Sequence, residues 1–255
     1  CIAPYYVYGK DYWTLPDFRG WSSPMWSSQP QHTSIGRLHF LTYTDAEGNK
    51  YGSESHKHVI DSYGPTYADI SMDYVSDDGK IQVSYRHAEM PHNDENRTYY
   101  TIDLTVLEDM AINDFKDNFS LFSFDGRNFY FNKLGYLDEN GNPVIIDANN
   151  TSTKKYIKLG KDCPYFDYFD AGDGDYVNFA LLIKNSDMTL GGEKFDGNFM
   201  LTDVKQSDLN FASLTLDIDD ITLKAGDSIH IDLILMPWGY KESKDDSNVR
   251  NVRQD

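Results

Sequence analysis

The residues best equipped for chemistry gather in one polar stretch between two strand-like runs. His87, Glu89, His92, Asp94, Glu95 and Arg97 fall there, with Tyr99 just beyond. Imidazole and phenol groups transfer protons, and a guanidinium neutralises a carboxylate while they do so. That set suits a lyase, which removes the proton next to a uronate carboxyl group. His87, His92, Arg97 and Tyr99 are therefore the catalytic candidates if the chain is an enzyme, and His58 joins them from the neighbouring segment. His56 and His58 stand two apart and share a face if their segment is extended, a geometry open to a metal, to proton transfer or to plain exposure.

A second group suits binding. Trp13, Trp21 and Trp26 lie in an aromatic lead over residues 1–35, with Trp238 after the last strand pattern. Indole faces match the apolar C–H faces of pyranose rings, so these four are the ligand-binding candidates; the other reading is that the rings anchor an extended segment over the fold. A third group is acidic. Asp170, Asp173 and Asp175 sit in one short loop with Gly172 and Gly174, and hard cations take several oxygen ligands from such loops. Ca²⁺ is the expected cofactor there, against a solvated acidic turn; the spacing is not that of the twelve-residue EF-hand, and no organic cofactor motif is present. His230 and Asp232 share a face of a late strand, either as an oriented imidazole or as a surface pair.

The elements that must position these groups are strands. Ile81, Val83 and Tyr85 alternate with Gln82, Ser84 and Arg86, and Tyr100, Ile102, Leu104 and Val106 alternate with Thr101, Asp103 and Thr105. Each run thus has one core face and one open face. Asp77-Asp78-Gly79 is a hairpin signal, so strands near 67–75, 80–87 and 98–107 form a meander. Leu38, Phe40 and Thr42 alternate in an earlier strand; Phe119, Leu121, Phe122 and Phe124 read as a strand buried on both faces, turned at Asp125-Gly126-Arg127-Asn128. Asp138 to Pro143 is another hairpin turn, Val177 to Ile183 is a buried strand, and Ile229, Ile231, Leu233 and Leu235 close the pattern. Pro4, Pro16, Pro24 and Pro30 rule out long helix in the lead and most central strands, so an irregular course is expected. Roughly a dozen strands with no amphipathic helix and no fixed repeat predict an all-β fold, a large antiparallel two-sheet β-sandwich of supersandwich type. The expected division is a lead over 1–35, a sandwich over 36–240 and a polar tail or linker over 241–255.

The totals narrow the partners. With 41 acidic against 23 basic residues the formal charge is −18, a field that repels nucleic acid and anionic membranes but leaves neutral glycans and divalent cations compatible. No apolar run reaches the length of a transmembrane helix. Cys1 and Cys163 form no metal-type pair. Cys1 has two readings, the lipid-attached first residue of a processed lipoprotein or a boundary inside a longer chain; the second is preferred because Pro4-Tyr5-Tyr6 follows with no polar tether.

Tyr67 to Tyr74, the Asp-Asp-Gly turn, the paired long strands and Leu233-Ile234-Leu235-Met236-Pro237-Trp238-Gly239 give residues 36–240 an architectural resemblance. The layout resembles the large β-sandwich or supersandwich domains of secreted carbohydrate-active proteins. Such domains include substrate-binding modules, C-terminal domains of polysaccharide lyases and mutarotase-like enzymes. The resemblance implies an extracellular or cell-surface setting and a polysaccharide or oligosaccharide partner. Two functions follow as expectations: a glycan-binding or accessory domain of a polysaccharide-degrading protein, or a lyase using the His and Tyr groups above.

Overall fold

A computed structural model describes residues 3–7, 10–17, 21–25, 35–52, 59–64, 67–89, 98–127, 133–149, 151–169, 177–206 and 209–239. In chain order its strands begin with β1 (Ala3–Val7), β2 (Lys10–Asp17), β3 (Trp21–Met25), β4 (Ile35–Thr44), β5 (Lys50–Tyr51), β6 (Val59–Gly64) and β7 (Tyr67–Val75). Then come β8 (Ile81–Glu89), β9 (Thr98–Val106), β10 (Met110–Ile112), a single helical turn α1 (Phe115–Asn118), β11 (Phe119–Arg127), β12 (Lys133–Leu137), β13 (Pro143–Asp147) and β14 (Lys155–Lys158). The remainder are β15 (Tyr165–Phe169), β16 (Val177–Leu190), β17 (Glu193–Lys194), β18 (Phe199–Gln206), β19 (Leu209–Leu216), β20 (Ile221–Leu223) and β21 (Ser228–Gly239).

These strands make the expected all-β, antiparallel two-sheet sandwich. A nine-stranded sheet runs β1-β2-β3-β4-β11-β19-β18-β14 with β5 on β4, and a ten-stranded sheet runs β13-β12-β15-β16-β21-β9-β8-β7-β6 with β17 on β16. The alternating side chains explain the packing. Ile81, Val83, Tyr85, Ile102, Leu104, Ile229, Ile231 and Leu233 of the ten-stranded sheet are buried, as are Leu41, Phe119, Leu121, Leu201, Leu214 and Leu216 of the other, and all join one core. Each fully buried aliphatic side chain contributes about 1.5–3 kcal/mol. The rings of Tyr100 and Phe122 meet across the layers at 6.1 Å. The small β10-β20 ribbon adds Met110, Ile112 and Leu223 to the same core.

Two local expectations need correction. The lead is not irregular where it is described, because β1, β2 and β3 extend the nine-stranded sheet as an antiparallel meander. Its three described prolines are tolerated because each is paired on one side only: Pro4 lies in outermost β1, Pro16 lies beyond the reach of β1, and Pro24 lies where β3 no longer pairs with β4. In β4 the core face is that of Leu41 and Tyr43. And Asp125-Gly126 is no turn: both residues pair with β4 and β19, with a register shift between them. The meander β7-β8-β9 and the Asp138 turn are as expected, and Asp138 accepts the backbone N–H groups of Asn140 and Asn142. Cys163 is an exposed free thiol. Among the described residues no helix is long and apolar enough to cross a membrane.

Candidate functional site

His58, His92, Arg97, Trp26 and the acidic loop of Asp170, Asp173 and Asp175 lie outside the described residues. Of the rest, Trp13 is placed in β2, Trp21 in β3, His87 in β8 and Trp238 in β21. Trp13 and Trp21, the two described lead tryptophans, thus belong to the nine-stranded sheet, and Trp21 stands opposite Arg37 of β4. His87 is the register partner of Tyr100, whereas Tyr99 stands opposite Ala88, so the two catalytic candidates do not share a row. Tyr99 packs half-buried against a small apolar cluster of Phe169, Ala180 and Ile234. Among the described residues no group of three His, Cys, Asp or Glu side chains is arranged to hold a metal ion.

The nine-stranded sheet bears a cleft of about 300 Å³ on the side turned away from the core. Hydroxyl groups dominate its floor: Thr42, Thr44, Ser120, Thr202 and Ser213 all line it. Strand register brings them together. Ser123, Ser213, Thr202 and Tyr156 are successive partners across β11, β19, β18 and β14, forming one hydroxyl row. The Ser213 hydroxyl donates to Ser120 Oγ at 2.7 Å. Thr202 is buried to 5% exposure, and its Oγ1 has no hydrogen-bond partner among the described residues.

One wall of the cleft is built by α1. Phe115 anchors the turn in the core, its N–H donating to the Asp219 carbonyl at 2.7 Å, while the Asp114 N–H donates to the Asp220 carboxylate at 2.8 Å. Lys116 and Asp117 then emerge at the cleft with Lys154 opposite. Lys116 Nζ donates to Asp219 at 2.5 Å, and Lys154 Nζ to Asp117 at 2.5 Å. Tyr156 donates its hydroxyl to the other Asp117 oxygen at 2.7 Å. Burial opposes ionisation of Asp117, but the bonds from Lys154 and Tyr156 prevail and hold its carboxyl below the usual range. Partial burial and that same carboxylate push the Tyr156 hydroxyl up to about 12. The charges of this wall are therefore matched pairwise.

The exposed side of the ten-stranded sheet carries a different cluster. His230 Nδ1 lies 2.7 Å from Asp103 and its Nε2 lies 3.4 Å from Asp232, which in turn accepts the Thr101 hydroxyl at 2.8 Å. Asp103, and then Asp232, raise the imidazole pKa above its ordinary value. Both ring nitrogens face carboxylates, so the protonated form is favoured and neither nitrogen is left as a base. The sequence pairing of His230 with Asp232 is real, but it forms a cross-strand surface ladder. Ser120, Thr202 and Ser213 are absent from the candidates drawn from sequence, since isolated small hydroxyl residues carry no motif. The alternation of Ser213 and Thr215 with Ala212, Leu214 and Leu216 is their one signal.

No family model and no curated protein matches the chain. Solved structures do. The galactosidase domain of an α-galactosidase–sucrose kinase, AgaSK, matches with a TM-score of 0.53 and 8% identity over 91% of this chain and 40% of that one. A GH36 α-galactosidase, AgaB, from Geobacillus stearothermophilus gives 0.52 and 7% over 91% of this chain and 39% of its own. A galactose mutarotase-like protein from Lactobacillus casei gives 0.51 and 9% over 93% of this chain and 100% of its own. At such identities the likeness is one of fold alone, a large β-sandwich.

Proposed function

We propose that the chain is a glycan-binding or accessory β-sandwich domain of a secreted polysaccharide-degrading protein. The observation that supports this most is the cleft on the nine-stranded sheet, whose hydroxyl floor offers the paired donors and acceptors that a polyhydroxylated ligand needs. Two other facts agree with it. The lead that carries Trp13 and Trp21 extends the same sheet, and the chain spans about 40% of the α-galactosidases it resembles. The lyase alternative has less support, because Tyr99 packs in an apolar cluster and stands out of register with His87. An extracellular setting and a Ca²⁺ ion at Asp170, Asp173 and Asp175 belong to the same proposal.

The test is incubation with a panel of neutral and uronate polysaccharides, scoring both retention and the formation of new ends. Retention without new ends, weakened by Ser213→Ala and by Trp→Ala changes at Trp13 or Trp21, is the expected result. Unsaturated ends that vanish with His87→Ala or His92→Ala would replace the proposal with a lyase.

A further inference from the structure

We infer that the cleft takes a neutral saccharide unit in preference to a uronate, and that Thr202 is a specificity-determining residue that reads one sugar hydroxyl. The inference rests on the glycan-binding reading of the same cleft and adds to it the ligand class and the residue that selects it.

Thr202 supplies the first observation. Its side chain is 5% exposed, it lines the cleft, and its Oγ1 lacks a hydrogen-bond partner among the described residues. A buried hydroxyl in that condition is costly, and folded proteins retain few of them. A hydroxyl group that shifts the cleft floor enough to reach Oγ1 removes that cost, because it can donate to Oγ1 or accept from it. Ser213, the register partner of Thr202, shares a hydrogen bond of 2.7 Å with Ser120, so these hydroxyls lie side by side at the cleft. A sugar hydroxyl can both donate to and accept from such a row, whereas a carboxylate can only accept.

Charge points the same way. A uronate needs an unmatched cation, and the α1 wall does not supply one. Lys116 is held by Asp219 at 2.5 Å and approached by Asp114 at 3.8 Å, and Lys154 is held by Asp117 at 2.5 Å. Lys50, opposite Thr44, is exposed, where water and salt screen its charge. The formal charge of −18 adds a general penalty for any anion. With about 300 Å³ the cleft stands at the small end of ligand sites, room for one saccharide unit and not for a chain laid along it.

Thr202→Val tests this directly, since it keeps the branched shape and removes only the hydroxyl. Calorimetric titration with methyl hexopyranosides and the matching methyl uronates is the measurement, alongside a thermal melt of each variant. The wild-type chain is expected to bind at least one neutral glycoside about tenfold more tightly than its uronate. Thr202→Val should weaken that binding by about tenfold or more with the melting temperature unchanged or raised, while Thr202→Ser retains it. If Thr202→Val does not fold, Ser213→Ala reads the same row. Unchanged affinity in the folded variant, or a uronate bound as well as its neutral partner, overturns the inference while leaving glycan binding in place. Absence of binding by every glycoside overturns both.

Discussion

The hydroxyl of Tyr85 accepts the backbone N–H of Leu41 at 2.8 Å, a hydrogen bond that runs from one sheet of the sandwich to the other. Its origin lies in a gap in the ladder. Between β4 and β11 the register pairs Ser120 with Thr42 and Phe122 with Phe40, but Leu121 with Leu41 is missing, and there the buried side chains pass from Leu121 to the adjacent Phe122. The Leu41 amide, turned out of the ladder, is satisfied by the phenol of β8 instead. Tyr85→Phe would leave that buried N–H without a partner, so we expect a loss of about 1–3 kcal/mol. Urea unfolding should show a lower midpoint with an unchanged slope; an unchanged midpoint would mean that the amide finds another acceptor.

Stability should depend on pH in an uncommon direction. Asp203 is fully buried, with one carboxylate oxygen accepting the Asn149 N–H at 3.0 Å, and burial pushes its carboxyl up to about 6 from 3.8. A carboxyl raised in the folded state contributes stability that is complete below its unfolded value and lost as pH climbs through the folded one. The raised His230 acts in the same sense at higher pH, its contribution complete below 6.5 and lost above. Asp109, Asp138, Asp147, Asp196 and Asp219 are held below 3.8, so their contributions are lost only on further acidification. The melting temperature should therefore peak at about pH 4–5 and fall toward pH 8. Asp203→Asn should raise stability at neutral pH by about 2–3 kcal/mol, since a tenfold change in proton affinity corresponds to about 1.4 kcal/mol, and change little at about pH 4. A melting temperature that rises from about pH 5 to pH 7 would refute this.

Gly135 is where the sequence permits no side chain. A Cβ there would overlap a carboxylate oxygen of Asp167, its buried register partner on β15. Gly135→Ala should cost about 1–3 kcal/mol through overpacking. Gly52→Ala is the control, because its Cβ would meet only the Thr42 methyl at 3.5 Å, and a change in stability below about 1 kcal/mol is expected. Equal melting temperatures for the two variants would show that the Asp167 site yields freely.

Asp227 ties two turns together. Its buried carboxylate accepts the N–H groups of Gly191 at 2.6 Å, Gly192 at 2.9 Å and Lys224 at 2.8 Å. Gly191 and Gly192 both adopt left-handed backbone angles, φ 65° and 84°, which expose two successive amides to one acceptor. Asp227→Ala should cost about 3 kcal/mol or more, and Asp227→Asn, which keeps one acceptor, distinctly less. Denaturation of both variants checks the order.

The strands are legible in the sequence wherever one face is apolar and the other polar. Ile81, Val83 and Tyr85 against Gln82 and Ser84, with Gly79 at φ 78° in the preceding turn, give the meander its faces and its register. Where both faces carry apolar residues, as with Leu38 and Phe40 against Leu41 and Tyr43 in β4, the alternation does not say which face meets the core. Asp125-Gly126 reads as a turn when its neighbours in sequence are all that is known, yet β4 and β19 hold it from both sides. The candidate site is less legible still. Ser120, Thr202 and Ser213 meet only through strand register, and Asp203 hides among Met200, Leu201 and Val204, where local pattern gives no hint of a buried carboxylate. The groups that look most chemical in the sequence fall largely between the strand patterns, where sequence alternation does not say which of them meet.

Chemical-shift mapping with a neutral oligosaccharide retained in the panel tests the central claim most directly. The perturbed amides are expected on the nine-stranded sheet around Thr42, Ser120, Thr202 and Ser213 and on the wall at Asp117 and Lys154. Perturbations confined to the other sheet, around Tyr99, Thr101, His230 and Asp232, would contradict that claim and place the site on the opposite face of the sandwich.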